Sequence, residues 1–132
     1  MSDYLTFTRF SDGLKIRNGD TVDGWTYRVY EDATGVVYEK QKQSDVVDGL
    51  LLTVYSDCSA CAELNGERIA SRMIDMPYWQ TALYDPNTKE LCGYDYSDTV
   101  DDFCSSAEIF AKKLKGIDND ELVIDDKTQR SR

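Results

Sequence analysis

Cysteines stand at positions 58, 61, 92 and 104 of a 132-residue chain that contains no histidine. Cys58 and Cys61 form a C-x-x-C within Asp57-Cys58-Ser59-Ala60-Cys61. Three chemistries are open to this set. Four thiolates can hold one structural Zn²⁺ tetrahedrally, the C-x-x-C giving two adjacent ligands from a tight turn. Gly93, behind Cys92, would let backbone amides approach that thiolate. On this reading Cys58, Cys61, Cys92 and Cys104 are the metal ligands and zinc is the cofactor. Against it, Cys92 and Cys104 do not form a second C-x-x-C, so the other thiols must come inward to meet Cys104. Alternatively, Cys58 and Cys61 form a thiol redox pair. In the third reading some or all of the four are small buried hydrophobes, as free cysteines often are. Structural disulfides are disfavoured, because no export signal precedes the domain.

The missing histidine removes Ser-His-Asp and Cys-His nucleophile activation, together with every His-containing metal site. Neither a phosphate-binding G-x-x-x-x-G-K-[ST] loop nor a G-x-G-x-x-G is present. The expectation is a protein that is not an enzyme.

The second chemistry-bearing set is acidic. The chain carries 25 Asp+Glu against 15 Lys+Arg, a net charge of −10. Residues 95–126 hold ten of the acids and only three bases. Such a surface repels nucleic acid and anionic lipid. A solvated face and helix capping would account for the acids. So would a phosphate mimic, whose carboxylates enter the basic groove of a nucleic-acid-binding protein after long-range attraction. The second reading assigns partner contact to Asp95, Asp98, Asp101, Asp102, Asp118, Asp120, Glu121, Asp125 and Asp126. Tyr78, Trp79, Tyr94 and Tyr96 nearby suit an interface anchor, or the core. Asp118-Asn119-Asp120-Glu121 lacks the spacing and central glycine of an EF-hand loop. Among so many acids, no pair stands out as a hydrolytic acid and base.

The elements that must position these residues read as α+β: a mostly antiparallel sheet with one C-terminal helix packed on it. Alternation marks strands over Tyr4–Phe10, Leu14–Arg17, Trp25–Glu31 and Val36–Lys40, with turns at Asn18-Gly19-Asp20 and Asp32-Ala33-Thr34-Gly35. Leu50–Tyr55 is the most apolar run and the expected central strand. After the C-x-x-C, Ala62–Ile74 reads as a weak helix interrupted by Gly66. Trp79–Tyr84 and Leu91–Tyr96 flank Asp85-Pro86-Asn87-Thr88 as a second hairpin. From Thr99 to Lys115, Val100, Phe103, Cys104, Ala107, Phe110, Ala111 and Leu114 recur on one helical face. Asp98 or Ser97 is the expected cap, with acids at the start and lysines before Gly116. Leu122–Ile124 reads as a further short strand.

A single domain over 1–125 with a polar tail at 126–132 follows. No apolar run approaches the roughly 18 residues of a membrane span. Without a leader, the expected compartment is the cytoplasm, the host's if the chain is phage-encoded. The order strand, C-x-x-C, helix resembles thioredoxin-like proteins locally, which implies a lowered thiol pKa at the helix N-terminus. As a type, the whole chain is similar to small phage- or prophage-encoded inhibitors, particularly anti-CRISPR proteins acting on the type II effector nuclease. The short acidic domain, the absence of a catalytic motif and the carboxylates from Asp95 to Asp126 carry that likeness. It implies binding to a basic nuclease surface and a block on DNA loading. The expected function is therefore a non-enzymatic inhibitor supported by a Cys₄ zinc site. A thiol redox protein and an acidic accessory interaction domain are the alternatives.

Overall fold

The computed structural model describes residues 5–75 and 77–116. Its strands are β1 (Thr6–Thr8), β2 (Lys15–Arg17), β3 (Thr21–Val22), β4 (Trp25–Asp32), β5 (Gly35–Gln43), β6 (Leu50–Tyr55), β7 (Ala60–Leu64), β8 (Glu67–Asp75), β9 (Tyr78–Tyr84) and β10 (Leu91–Tyr96). One helix follows, α1 (Val100–Lys115). The fold is α+β, as its sequence pattern implies. Strands β3 to β10 form an eight-stranded antiparallel meander in chain order, and β1–β2 form a separate hairpin.

Alternation along each strand assigns the two faces of the large sheet. Leu50, Leu52 and Val54 of β6 pair with Leu64, Ala62 and Ala60 of β7. All six are buried together with Phe103, Ala107 and Ala111 of α1. Small residues at 60, 62, 107 and 111 bring helix and sheet close, and Phe103, fully buried, fills the space between them. On the same face, farther along, Ile16 and Phe7 of the hairpin pack on Tyr27 and Val29 of β4 and Tyr38 of β5. Trp25 touches both clusters. The opposite face carries no helix or hairpin among the described residues.

Two expectations need correction. The stretch Ala62–Ile74 is not a helix but most of the β7–β8 hairpin. Asn65 and Gly66 at its turn both have positive φ (51° and 88°), the backbone of a two-residue turn whose twist suits antiparallel strands. The cap of α1 is neither Asp98 nor Ser97 but Thr99. Its hydroxyl accepts from the Asp102 amide while the Asp102 carboxylate accepts from the Thr99 amide. The proposed 122–124 strand and the 126–132 tail lie outside the described residues.

Arg72 on β8 joins separate parts of the fold. Only 4% exposed, it lies under the helix-facing side with its guanidinium 4.1 Å from the Trp79 ring centroid. It donates to the Cys58 carbonyl in the β6–β7 turn and to the Asp98 carbonyl at 3.2 Å, with a longer contact to the Ser97 carbonyl at 3.4 Å. One buried cation thus ties a turn of the sheet to the segment that starts α1. Its Nε, with Thr81 Oγ1 and Ser97 Oγ, is buried without a partner among the described residues. Arg72→Met leaves three backbone carbonyls without their donor, each worth about 1 kcal/mol or more. We expect a loss of about 3 kcal/mol in the free energy of urea unfolding. A loss below about 0.5 kcal/mol would show that Arg72 is not a clamp.

Candidate functional site

The four cysteines do not gather. Cys58 is exposed in the β6–β7 turn, where its φ of 73° is set by the turn. Cys61 pairs with Thr53 on β6 and Ser71 on β8, so its side chain shares the open face with theirs. Burial there pushes its thiol up, with Glu63 reinforcing the shift. Cys104 lies on α1 against the opposite, covered face, packed on the core cluster. Burial pushes its thiol up to about 11, with Glu108 and Asp101 adding to the effect. Cys92 is exposed at the bulge in β10 and faces the Glu90 carbonyl.

The sheet therefore separates Cys61 from Cys104. One zinc ion, with bonds of about 2.3 Å to each sulfur, cannot take both. Among the described residues no three His, Cys, Asp or Glu side chains are grouped to hold a metal. The residues present do not fit the Cys₄ site that the sequence suggested. The redox arrangement also lacks its structural premise. The C-x-x-C spans a turn between antiparallel strands, and no helix N-terminus follows to stabilise a thiolate.

The acids behave differently. Asp95, Asp98, Asp101 and Asp102 are all exposed and meet where β10 runs into α1. Asp118, Asp120, Glu121, Asp125 and Asp126 lie outside the described residues. Asp95 shares the covered face with Thr81 and accepts the Ser106 hydroxyl at 2.6 Å, fastening the edge strand to the helix. Asp98 accepts from the Tyr96 hydroxyl at 3.4 Å, and its charge holds that phenol above its ordinary value. Asp102 completes the cap, and Asp101 sits in the first helical turn. The positive end of the helix dipole stabilises carboxylates at these positions. No ion pair among the described residues involves any of the four.

Topology extends this corner. The turns at 32–35 and 56–59 and the start of α1 lie at one end of the sheet, because each second connection of a meander returns to the same side. Segments 31–35, 56–59 and 97–102 contain Glu31, Asp32, Asp57, Asp98, Asp101 and Asp102 and no Lys or Arg. At the other end, Lys112, Lys113 and Lys115 close the helix, and Lys115 Nζ donates to the Asp48 carbonyl. Sequence reading missed Asp32 and Asp57, which stand far from the dense 95–126 run. The two turn signals around them, spaced by one strand pair, carried their placement.

Beside the acidic corner the open face presents aromatics. Tyr78, Tyr94 and Tyr96 are each more than half exposed, and Tyr78 meets Tyr96 edge to face at 5.7 Å. Among the described residues strand β10 is the sheet edge, bonded to β9 alone. An exposed aromatic group rimmed by carboxylates has the make-up of a contact surface rather than of a reaction site. No protein family, curated protein or solved structure matches the chain. No described helix is long and apolar enough to cross a membrane.

The thiols give a direct check. At pH 8, a disulfide reagent should titrate Cys58 and Cys92 rapidly, Cys61 more slowly, and Cys104 only on unfolding. Native mass spectrometry should give the metal-free mass. Four equally protected thiols with one retained zinc would contradict the placement of these residues.

Proposed function

We propose that the protein is a non-enzymatic binding module that docks a basic nucleic-acid-binding protein through the acidic end of its sheet and competes with nucleic acid there. The observation that carries the reading is the group Asp95, Asp98, Asp101 and Asp102, without an ion pair among the described residues, on a strand–helix corner beside Tyr78, Tyr94 and Tyr96. Carboxylates fixed by a cap and an edge strand cost little further ordering on binding. Their common sign attracts a positive groove at long range, and the tyrosines supply area that can be desolvated on contact.

The partner implied by the likeness to anti-CRISPR inhibitors is a type II effector nuclease, whose channels for guide and target are positively charged. Supported by the same surface, the protein would slow DNA loading without cleaving or modifying anything.

The test is binding to such a guide-loaded nuclease at increasing salt, with displacement of target DNA as the second readout. Affinity should fall at least tenfold between about 50 and 500 mM salt, where the Debye length shrinks to a few ångströms. Asp98→Asn with Asp101→Asn should weaken binding about tenfold, at about 0.7 kcal/mol for each lost charge contact. Neither change touches the Thr99–Asp102 cap. Binding that is indifferent to salt and to both substitutions would reject the reading. Binding to basic proteins without displacement of DNA would favour the acidic accessory domain instead.

A further inference from the structure

A second feature at the acidic end is a cleft of about 460 Å³ between the β4–β5 and β6–β7 turns. Its walls include Tyr30, Val37 and Tyr55 from the open face and Asp32, Asp57 and Ser56 from the turns. We propose that this cleft is a binding site for an organic ammonium group, held by tyrosine faces and two carboxylates.

Four observations favour that ligand class. First, Tyr30 and Tyr55 are half-buried and so present fixed rings, and a cation over a tyrosine ring is attracted by its quadrupole. Tyr30 already does this: the Arg28 guanidinium lies 4.5 Å from its centroid. Second, Arg28 is ion-paired with Glu39 at 3.2 Å, so those two charges cancel beside the cleft. Asp32 and Asp57 have no cationic partner among the described residues. Third, no Lys or Arg among the described residues lines the cleft, and the nearby Arg28 is already paired with Glu39. Fourth, both carboxylates are locked in place. Asp32 accepts from the Thr34 amide and hydroxyl, at 2.7 and 2.6 Å. Asp57 accepts from the Ser59 amide and hydroxyl, at 2.9 and 2.6 Å. These bonds hold both groups below the ordinary carboxylate range, so they stay charged in weak acid. Each carboxylate keeps a second oxygen for a ligand.

The walls therefore combine apolar area, aromatic faces and fixed negative charge. An ammonium with short alkyl substituents matches all three; a neutral ligand such as a sugar could use the rings and the acceptor oxygens but not the net negative charge. The ammonium can come from a free organic amine or from a lysine side chain of a bound protein. The second source rests on the proposed docking function, whereas the first does not.

The test is amide-resolved NMR titration of the intact protein with choline, with N-acetyl-lysine methylamide and with 3,3-dimethylbutanol, the neutral isostere of choline. Saturable shifts at Thr34 and Ser59 are expected with the charged probes, at least tenfold tighter than with the neutral one. Asp57→Asn, which preserves the turn, and Tyr55→Leu should each weaken the charged probes severalfold. Tighter binding of the lysine probe assigns the site to a partner's side chain, and tighter binding of choline assigns it to a free amine. Equal affinity for the neutral isostere, or no saturable shift with either charged probe, would overturn the proposal. Because no partner protein is present, failure here is distinct from failure of the docking reading.

Discussion

The buried guanidinium of Arg72 is the interaction on which the arrangement at this end of the molecule depends. A cation taken out of water needs its charge spread over good acceptors, or it destabilises the core. Here backbone carbonyls of Cys58, Ser97 and Asp98 and the face of Trp79 take that role. In consequence the β6–β7 turn, the last residues after β10 and the start of α1 are held to one point. Without that tie, α1 would still pack through Phe103, Ala107 and Ala111 on β6 and β7, but the end of the sheet would lose its cross-connection.

The same charge explains how so many carboxylates can crowd together. Like charges on neighbouring turns repel by about 1 kcal/mol at 4 Å in water, and by more near a protein surface. Beneath them lie Arg72 and the positive end of the α1 dipole, both of which oppose that repulsion. The acidity is thus partly balanced from inside while the outside remains negative. At the opposite end, the lysines of the last helical turn and the Lys89–Glu67 pair mix the signs. Among the described residues the charge is polarised, and the negative pole is the corner that Arg72 ties together.

Much of this was legible in the sequence. Leu50–Tyr55, the most apolar run, and Leu91–Tyr96 are strands with the bounds the sequence implies, and both hairpins form around their Asp-containing turns. The helix was legible because its apolar face is regular and its ends are charged in the right sense. What failed had specific physical causes. Ala62–Ile74 lost its period-two signal because Ile69 and Ala70 sit at a bulge and are both buried, which breaks strict alternation. Asn65-Gly66 was the turn signal that should have outweighed the helical reading. The cysteine site failed for a different reason: spacing along the chain cannot reveal which face of a sheet a thiol takes. Once Ala60 and Ala62 face the helix, Cys61 must point away from it, and Cys104 cannot. Arg72 was invisible for the same reason, since nothing local distinguishes a buried arginine from a solvated one.

The central claim is that the negative pole, rather than the acidic chain as a whole, meets basic partners. Zero-length carboxylate–amine coupling to a lysine-rich basic protein at low salt, mapped by mass spectrometry, tests it most directly. The account predicts links concentrated at Asp32, Asp57, Asp98 and Asp101, all exposed at the pole. Links spread evenly over Asp23, Asp45, Asp48 and Asp85, which lie at the other end of the sheet, would contradict it.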